Sequence, residues 1–243
     1  MNTSDQNQWK RAAAAAAAKL VADGMIVGLG TGTTAAYVVS ELGRRVKEEG
    51  LRIIGIPTSE RTGEQARGLN IPLSTFAEHA KIDLTIDGAD EVEPGSLNLI
   101  KGHGGALLRE KIVAAASKRM AVVADQTKLV RRLGSIFSVP VEVVPFGWQV
   151  TERKLRELRA RTSLRTGTNN KPYLTDGGHY IVDCAFGPMR KPQEIAAELD
   201  SIVGVVEHGL FLGYASQVFV GGSDGVKILR KKTAHRMRRR PRR

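Results

Sequence analysis

Cysteine is almost absent from this sequence, since Cys184 is the single cysteine among 243 residues. One cysteine excludes an internal disulfide framework and a metal cluster built from thiolates, and it favours a reducing compartment over a secretory route. Cys184 ends the strand-like segment Tyr180–Cys184, so we interpret it as a packing residue. The sequence therefore predicts a cytoplasmic protein.

Long hydrophobic runs are also missing. The alanine run Ala12–Ala18 follows Lys10 and Arg11 and is interrupted soon afterwards by Asp23 and Gly24. This run is too short to span a bilayer and lacks the layout of a signal peptide. It predicts a first helix and no membrane association.

Acidic residues are in the minority, mostly because of one end of the chain. The sequence has 37 Lys and Arg against 25 Asp and Glu, a formal net charge of +12. Residues 230–243 hold nine of the basic residues and no acid, which leaves a surplus of three in the rest. We interpret residues 231–243 as a disordered basic tail whose attraction to nucleic acid is non-specific. A dedicated nucleic-acid site there would show strong salt dependence and would be lost on truncation at Lys231.

Four strand-like runs each end in a cluster of small or polar residues. They are Met25–Leu29, Arg52–Ile56, Ile82–Ile86 and Met120–Ala124. Helical patterns separate most of them, which predicts right-handed βαβ units and a parallel sheet. Because the carboxyl ends of parallel strands lie at one edge, the four clusters are expected to converge on a ligand site.

The pattern changes after Leu133. The predicted elements there alternate as strand, helix, strand and helix over residues 139–144, 151–160, 180–184 and 192–202. This order predicts a small α+β unit. The later run Gln217–Val220 is expected to return to the first sheet.

Two patterns bear on cofactors. The glycine-rich segment Gly28–Thr34 lies between a strand and a helix, so it predicts a phosphate cradle, with a tight structural turn as the alternative. Its glycine spacing fits neither a dinucleotide fingerprint nor a P-loop, which disfavours a nicotinamide-dependent dehydrogenase. The histidines at positions 79, 103, 179, 208 and 235 are scattered, so no metal site is predicted.

The segment 87–111 combines five carboxylates, two lysines expected to be mobile (Lys101 and Lys111) and a glycine-rich turn. Asp87, Asp90 and Glu91 follow a strand-like run, so we expect them at the ligand-binding edge of the sheet. The turn at 102–105 precedes a predicted helix over 106–117, whose free N–H groups suit an anion or a developing oxyanion. As alternatives, the acids could be turn formers or caps, and the acid at position 110 a surface charge on the helix.

Seven motifs occur together and in order along the chain: GxGTGTT, TSERT, DGADE, KGxGGALLREK, ADQTK, TDGGHYIVD and GVVEHGLFLG. This set resembles type A ribose-5-phosphate isomerase over about residues 8–230. The resemblance implies interconversion of ribose 5-phosphate and ribulose 5-phosphate in the non-oxidative pentose phosphate pathway, without metal or organic cofactor. It also implies a homodimer or homotetramer.

The resemblance further implies an α/β fold in two domains. A Rossmann-like parallel-sheet domain is predicted over residues 1–132 and 211–230, and an inserted ferredoxin-like α+β domain over residues 133–210. Glu110 is the implied base that moves a proton between C2 and C1, and Asp87, Asp90 and Lys101 complete the implied catalytic set. The implied substrate-binding residues are Thr31, Gly32, Thr33, Thr34, Asp87, Gly88, Ala89, Asp90, Lys101, Gly102, His103, Gly104, Lys128 and Lys10.

The chemistry of the residues agrees with this assignment. An aldose–ketose isomerisation needs a base beside the enediolate plane and cationic or N–H donors at O1 and O2. Glu110 supplies the base, and Lys101 with the glycine turn supplies the donors. Asp87 and Asp90 are both available for ring opening, and the sequence does not divide the acid and base roles between them. A metal-assisted hydride shift is the mechanistic competitor.

Three residues depart from the family pattern. Thr33 and Thr127 replace serine, and His103 occupies a position that is often glycine. A sugar-phosphate sensor on the same fold is a competing hypothesis. Only some twenty residues precede the first strand, which is too few for an N-terminal helix-turn-helix, and a sensor does not require the carboxylate–lysine–carboxylate set.

Overall fold

The computed structural model describes residues 3–231, which contain six α-helices and thirteen strands. The predicted basic tail lies outside the described residues apart from Lys231. The helices are α1 (Thr3–Ala18), α2 (Thr33–Glu49), α3 (Glu60–Gly68), α4 (Leu107–Ala115), α5 (Trp148–Glu157) and α6 (Pro192–Asp200). The strands are β1 (Ile26–Leu29), β2 (Ile54–Pro57), β3 (Leu84–Gly88), β4 (Glu91–Glu93), β5 (Asn98–Ile100), β6 (Met120–Asp125), β7 (Val139–Val143), β8 (Arg161–Leu164), β9 (Tyr180–Ala185), β10 (Val205–His208), β11 (Leu210–Phe211), β12 (Ala215–Gly222) and β13 (Gly225–Arg230).

The largest sheet has six strands in the order β13-β12-β6-β3-β1-β2. All neighbours pair in parallel except β12 and β13. All residues of β3 and β6 are buried, as expected of strands covered on both faces. The predicted parallel sheet is therefore confirmed, and the run at 217–220 returns to it as part of β12.

Helix α1 covers this sheet with its alanine face. Its buried residues are the alanines at positions 13, 14, 17 and 18, and the helix lies against β6 and β12. The approach is so close that a Cβ on Gly221 would overlap the backbone of Trp9. This packing fixes the position of Lys10, one residue further along the helix. No helix within residues 3–231 is long and apolar enough to cross a membrane.

The second sheet is antiparallel, with the order β10-β7-β9-β8. The chain runs through it as β7-α5-β8-β9-α6-β10, which is the ferredoxin-like arrangement. The predicted α+β unit is thus present, but the predictions omitted β8 and β10. Helix α5 also begins at Trp148 rather than at 151, directly after Gly147 in the left-handed region (φ 69°). The exact domain boundaries remain predictions.

A third, small sheet has the order β11-β5-β4. Strand β11 follows directly on the ferredoxin-like unit, and β5 is followed by Lys101. Leu210 pairs with Ile100, and Gly209 accepts a hydrogen bond of 2.9 Å from the Lys101 N–H. The end of β5 is therefore attached to the segment that follows the ferredoxin-like unit.

Candidate active site

Asp87 lies at the carboxyl end of the central strand β3 and is fully buried. Its Oδ1 accepts hydrogen bonds from the Thr31 N–H (3.1 Å) and the Gly88 N–H (2.7 Å). A Cβ on Gly30 would overlap this carboxylate, so glycine is required there. The glycine-rich loop after β1 and the acidic end of β3 are therefore locked together.

Lys101 bridges two buried carboxylates. Its Nζ lies 3.0 Å from Asp87 Oδ2 and 3.1 Å from Glu110 Oε1, and it donates to the Gly88 carbonyl at 2.6 Å. Lys101 is only 2% exposed and Glu110 4%. The prediction that Lys101 is mobile is wrong, because three acceptors hold its ammonium group.

Burial shifts the protonation of this triad. It raises the pKa of Glu110 to about 8, and the neighbouring charge of Asp87 adds to the shift. Burial also raises the pKa of Asp87, against the opposing attraction of Lys101. Burial alone would lower the pKa of Lys101, but the two carboxylates more than compensate and raise it. The triad thus combines a permanent cation with a carboxyl group that can exchange a proton near neutral pH.

Glu110 is the fourth residue of α4 and points one free oxygen away from Lys101. Within residues 3–231, its Oε2 is buried and has no hydrogen-bond partner. The helix starts after a turn in which Gly102 (φ 105°) and Gly105 (φ 81°) adopt the left-handed region. The predicted helix over 106–117 is two residues too long at its end and one at its start.

One pocket collects most of the sequence-predicted residues. Its lining consists of Lys10, Thr31, Gly32, Thr33, Thr34, Gly88, Ala89, Asp90, Lys101, Gly102, Gly104, Glu110 and Lys128. Two predicted substrate-binding residues are not in the lining. Asp87 lies behind it, hydrogen-bonded to Thr31 and in contact with Lys101, and His103 is an exposed residue beside it.

The far end of the pocket is cationic. Helix α2 starts at Thr33 after Gly32 (φ 107°), and no side chain caps its N–H groups. Lys10 Nζ lies 3.5 Å from Thr33 Oγ1, and Lys128 lies in the short 3₁₀ turn after β6. A helix N-terminus with two lysines suits a doubly charged anion.

The Thr31 hydroxyl is not available to a ligand. Its Oγ1 lies 2.7 Å from Thr58 Oγ1 and donates to Ser59 Oγ at 2.8 Å, and Thr62 Oγ1 is 3.2 Å away. Thr62 also donates to the Gly30 carbonyl at 3.1 Å. This hydroxyl cluster supports the glycine-rich loop from behind, a role that the sequence reasoning did not identify for the TSERT segment.

Comparisons with known proteins identify the family. The family model of ribose 5-phosphate isomerase A (phosphoriboisomerase A) matches residues 54–225. The ribose-5-phosphate isomerase A of Gloeobacter violaceus is 57% identical over 225 residues, covering 93% of this chain and 97% of that protein. The corresponding protein of a Synechococcus strain is 54% identical, covering 93% and 98%. This chain belongs to the ribose 5-phosphate isomerase A family.

Solved structures of ribose 5-phosphate isomerases have the same fold. The isomerase A of Methanocaldococcus jannaschii has a TM-score of 0.89 and 43% identity, covering 92% of this chain and 99% of that one. A D-ribose-5-phosphate isomerase in complex with phospho-erythronic acid has a TM-score of 0.91 and 39% identity, covering 95% and 100%. The predicted family and fold class are therefore confirmed.

In this member of the isomerase A family, His103 belongs to an aromatic contact beside the pocket. Its ring packs edge-on against Phe137, with 4.6 Å between ring centroids. The backbone N–H of His103 donates to Asp90 Oδ2 at 3.0 Å. Lys128 Nζ lies 4.7 Å from the Phe137 ring centroid. His103 does not have a positive φ, so histidine causes no backbone strain here. Phe137 was not a predicted site residue, because it contacts the site only through tertiary packing.

Glu91, by contrast, lies outside the pocket of this isomerase A chain. It is fully buried, and its carboxylate accepts hydrogen bonds from the N–H groups of Gly134 (2.6 Å), Ile136 (2.6 Å) and Phe137 (2.8 Å). The expectation that it shares the ligand-binding edge with Asp87 is wrong. Glu91 instead stabilises the loop that carries Phe137.

Proposed function

We propose that this protein interconverts D-ribose 5-phosphate and D-ribulose 5-phosphate by proton transfer through an enediolate, a step of the non-oxidative pentose phosphate pathway. Family membership supports the substrate. The single observation that carries the chemistry is Lys101 Nζ, held 3.0 Å from Asp87 and 3.1 Å from Glu110 at the base of the pocket.

Glu110 is the proposed base. Lys101 holds one of its carboxylate oxygens, which leaves Oε2 to take the proton from one carbon and return it to the other. A carboxyl pKa raised to about 8 suits this task, because a base works best when its pKa is close to the operating pH. The negative charge that develops on O1 and O2 is stabilised by the Lys101 ammonium and by N–H groups of the glycine turn.

Asp90 and Asp87 are proposed to serve ring opening in different ways. Asp90 lines the pocket and is therefore the carboxyl group that reaches the ring oxygen. Asp87 lies behind the lining, where it holds the Lys101 ammonium and the Thr31 backbone. Its role is to keep the charge of Lys101 in place while protons move.

The phosphate group is proposed to bind at the cationic end. The N-terminus of α2 offers N–H groups that no side chain caps, Lys10 lies beside it, and Lys128 lines the same pocket. The contribution of Thr31 is its backbone, since its hydroxyl is bonded internally. The Thr33 and Thr34 hydroxyls remain candidates for direct contact.

Lys128→Ala is expected to raise KM for ribose 5-phosphate more than it lowers kcat. A hydrogen bond to a charged group contributes about 1.5 to 3 kcal/mol, which corresponds to roughly 10- to 150-fold in affinity. Steady-state kinetics on ribose 5-phosphate and on unphosphorylated ribose measure this, with the exposed Lys154→Ala as a matched control. An unchanged KM in Lys128→Ala would contradict the assignment.

Turnover of ribose 5-phosphate by EDTA-treated protein is the test of the proposed function. We expect full activity without an added cofactor. Asp87 and Glu110 have Lys101 as their counter-ion, and the one group of three or more ligand residues within residues 3–231 that could hold a cation is Asp200, Glu207 and His208. Loss of activity with EDTA and its return with a divalent ion would instead favour a metal-assisted hydride shift.

We also propose a cytoplasmic location, from the single cysteine, and a homodimer or homotetramer, from the family resemblance. Light scattering coupled to size-exclusion chromatography distinguishes the two assemblies.

A further inference from the structure

Lys111, the residue after the proposed base, is buried beneath the ferredoxin-like unit. It is 7% exposed, so the expectation that it is mobile is wrong. Its Nζ donates to Glu207 Oε1 and to the His208 carbonyl, both at 2.6 Å, and lies 3.4 Å from His208 Nδ1. An ammonium group has three N–H donors, and three acceptors surround this one.

The imidazole of His208 is arranged to accept. Burial, together with the charge of Lys111, lowers the pKa of His208 to about 4, so the ring is neutral near pH 7. The Leu210 N–H donates to Nδ1 at 3.2 Å, which leaves the ring proton on Nε2, 3.2 Å from Asp200 Oδ1. The single lone pair of Nδ1 therefore faces both the Leu210 N–H and the Lys111 ammonium.

A cation site is the competing interpretation of this cluster. Asp200, Glu207 and His208 each offer a ligand atom within 4.8 Å of the others. The Lys111 ammonium already contacts Glu207 Oε1, a carboxylate oxygen of this group. Burial lowers the pKa of Lys111, but Glu207 opposes that shift. The cluster is accordingly explained by an internal cation.

The same short segment also positions Lys101. The His208 carbonyl accepts from Lys111, and the next carbonyl, that of Gly209, accepts from the Lys101 N–H at 2.9 Å. The ring of Phe211 then lies 5.0 Å from Lys111 Nζ and 5.4 Å from Lys101 Nζ. Residues 207–211 thus hold the lysine that contacts Glu110 and the lysine that adjoins it on α4.

We propose that Lys111 is a positioning residue for the isomerisation, which anchors α4 to residues 207–211 and so keeps Glu110 in contact with Lys101. This inference rests on the proposed function. Lys111 does not line the pocket, so its loss is expected to change kcat and leave substrate binding nearly intact. A displacement of about 1 Å at a reacting group can cost on the order of 100-fold in rate.

The test is a double-mutant cycle on the full-length protein. Lys111→Met removes the ammonium group and keeps an unbranched apolar chain, and Lys118→Met, at an exposed lysine bonded to Asp83, is the matched control. We expect Lys111→Met to lower kcat about 10- to 100-fold with KM changed less than about threefold. We expect Lys118→Met to behave as wild type.

The decisive arm introduces Lys111→Met into a Glu110→Gln background. If Lys111 acts through Glu110, the Lys111→Met substitution should lower the residual kcat of the Glu110→Gln protein by less than about twofold. An equal loss in both backgrounds, or wild-type kcat in Lys111→Met, overturns the inference. If Lys111→Met does not fold, Glu207→Gln takes its place in the same cycle. Failure of the proposed function is separate, because the wild-type protein would then not convert ribose 5-phosphate.

Discussion

Glu110→Gln is expected to lower kcat for ribose 5-phosphate by a factor of about 10² to 10⁴, the usual contribution of a positioned general base. Glutamine keeps the size of the side chain and can still accept from Lys101, but it cannot take the proton from carbon. The variant should bind ribose 5-phosphate or an enediolate mimic with nearly unchanged affinity. Exchange of the C2 hydrogen with solvent should fall together with kcat, because both pass through the same enediolate.

The pH profile provides a second measurement of the same variant. Glu110 must be ionised to accept a proton, so kcat/KM of the wild-type protein should rise with pH until about 8, and this dependence should disappear in Glu110→Gln. The exposed Glu157→Gln on α5 is the control. A folded Glu110→Gln protein that keeps more than about a tenth of wild-type kcat would refute the role, and Asp90 would become the next candidate.

The raised pKa of Glu110 also has a consequence for stability. The folded protein holds this proton at pH values where the unfolded chain has released it, so protonated Glu110 favours the folded state. That contribution is complete below the ordinary carboxyl pKa and is lost as pH rises towards 8. The free energy of unfolding of Glu110→Gln should therefore vary less over this range than that of the wild-type protein.

Lys101→Met is expected to cause the largest combined loss. Removal of one partner of a buried ion pair typically destabilises a protein by about 3 to 5 kcal/mol, and here Asp87 and Glu110 both lose the ammonium group that contacts them. Removal of a donor to a developing oxyanion also costs roughly 10²- to 10³-fold in kcat. Denaturant unfolding and steady-state kinetics measure the two effects separately.

A compensating variant tests the reason for the Lys101 effect. Adding Asp87→Asn to Lys101→Met removes the buried Asp87 carboxylate that has lost its counter-ion. Part of the lost stability should therefore return, while kcat stays low. The stability loss of Lys101→Met should also shrink at acidic pH, where the carboxyl groups are protonated. Wild-type stability of Lys101→Met at neutral pH would show that the triad is not an ionic cluster.

The central strands were predictable from the sequence because burial on both faces gives short, continuous apolar runs. Strand β8, Arg161–Leu164, was missed because it lies at a sheet edge, where exposed and half-buried residues alternate and no apolar run is needed. Strand β13 was missed for the same reason, since it lies at an edge of the six-stranded sheet and consists of exposed and half-buried residues. Edge strands depend on a partner that the local sequence does not specify.

Prediction of the candidate site from the sequence is limited in the same way. The proximity of the glycine-rich loop and Asp87 follows from the parallel-strand rule, since both lie at strand ends of one sheet. The environment of Lys111 does not follow from any such rule, because its partners Glu207 and His208 are far away in the sequence. The motif around Lys111 alone resembles a charged helix surface. Phe137 gave no sequence signal either. The catalytic and binding roles of the predicted residues remain predictions.

The contact between helix α1 and strand β12 has a consequence for folding. The Trp9 backbone lies directly against Gly221, so the packing of the first helix is complete only after the last part of the chain has entered the sheet. Such a closure between distant segments gives a high contact order and slow folding. Lys10, which lines the pocket, follows Trp9 on this helix. In a nascent chain that ends before β12, the proposed phosphate-binding end of the pocket should consequently be incomplete. No residue of that strand itself lines the pocket.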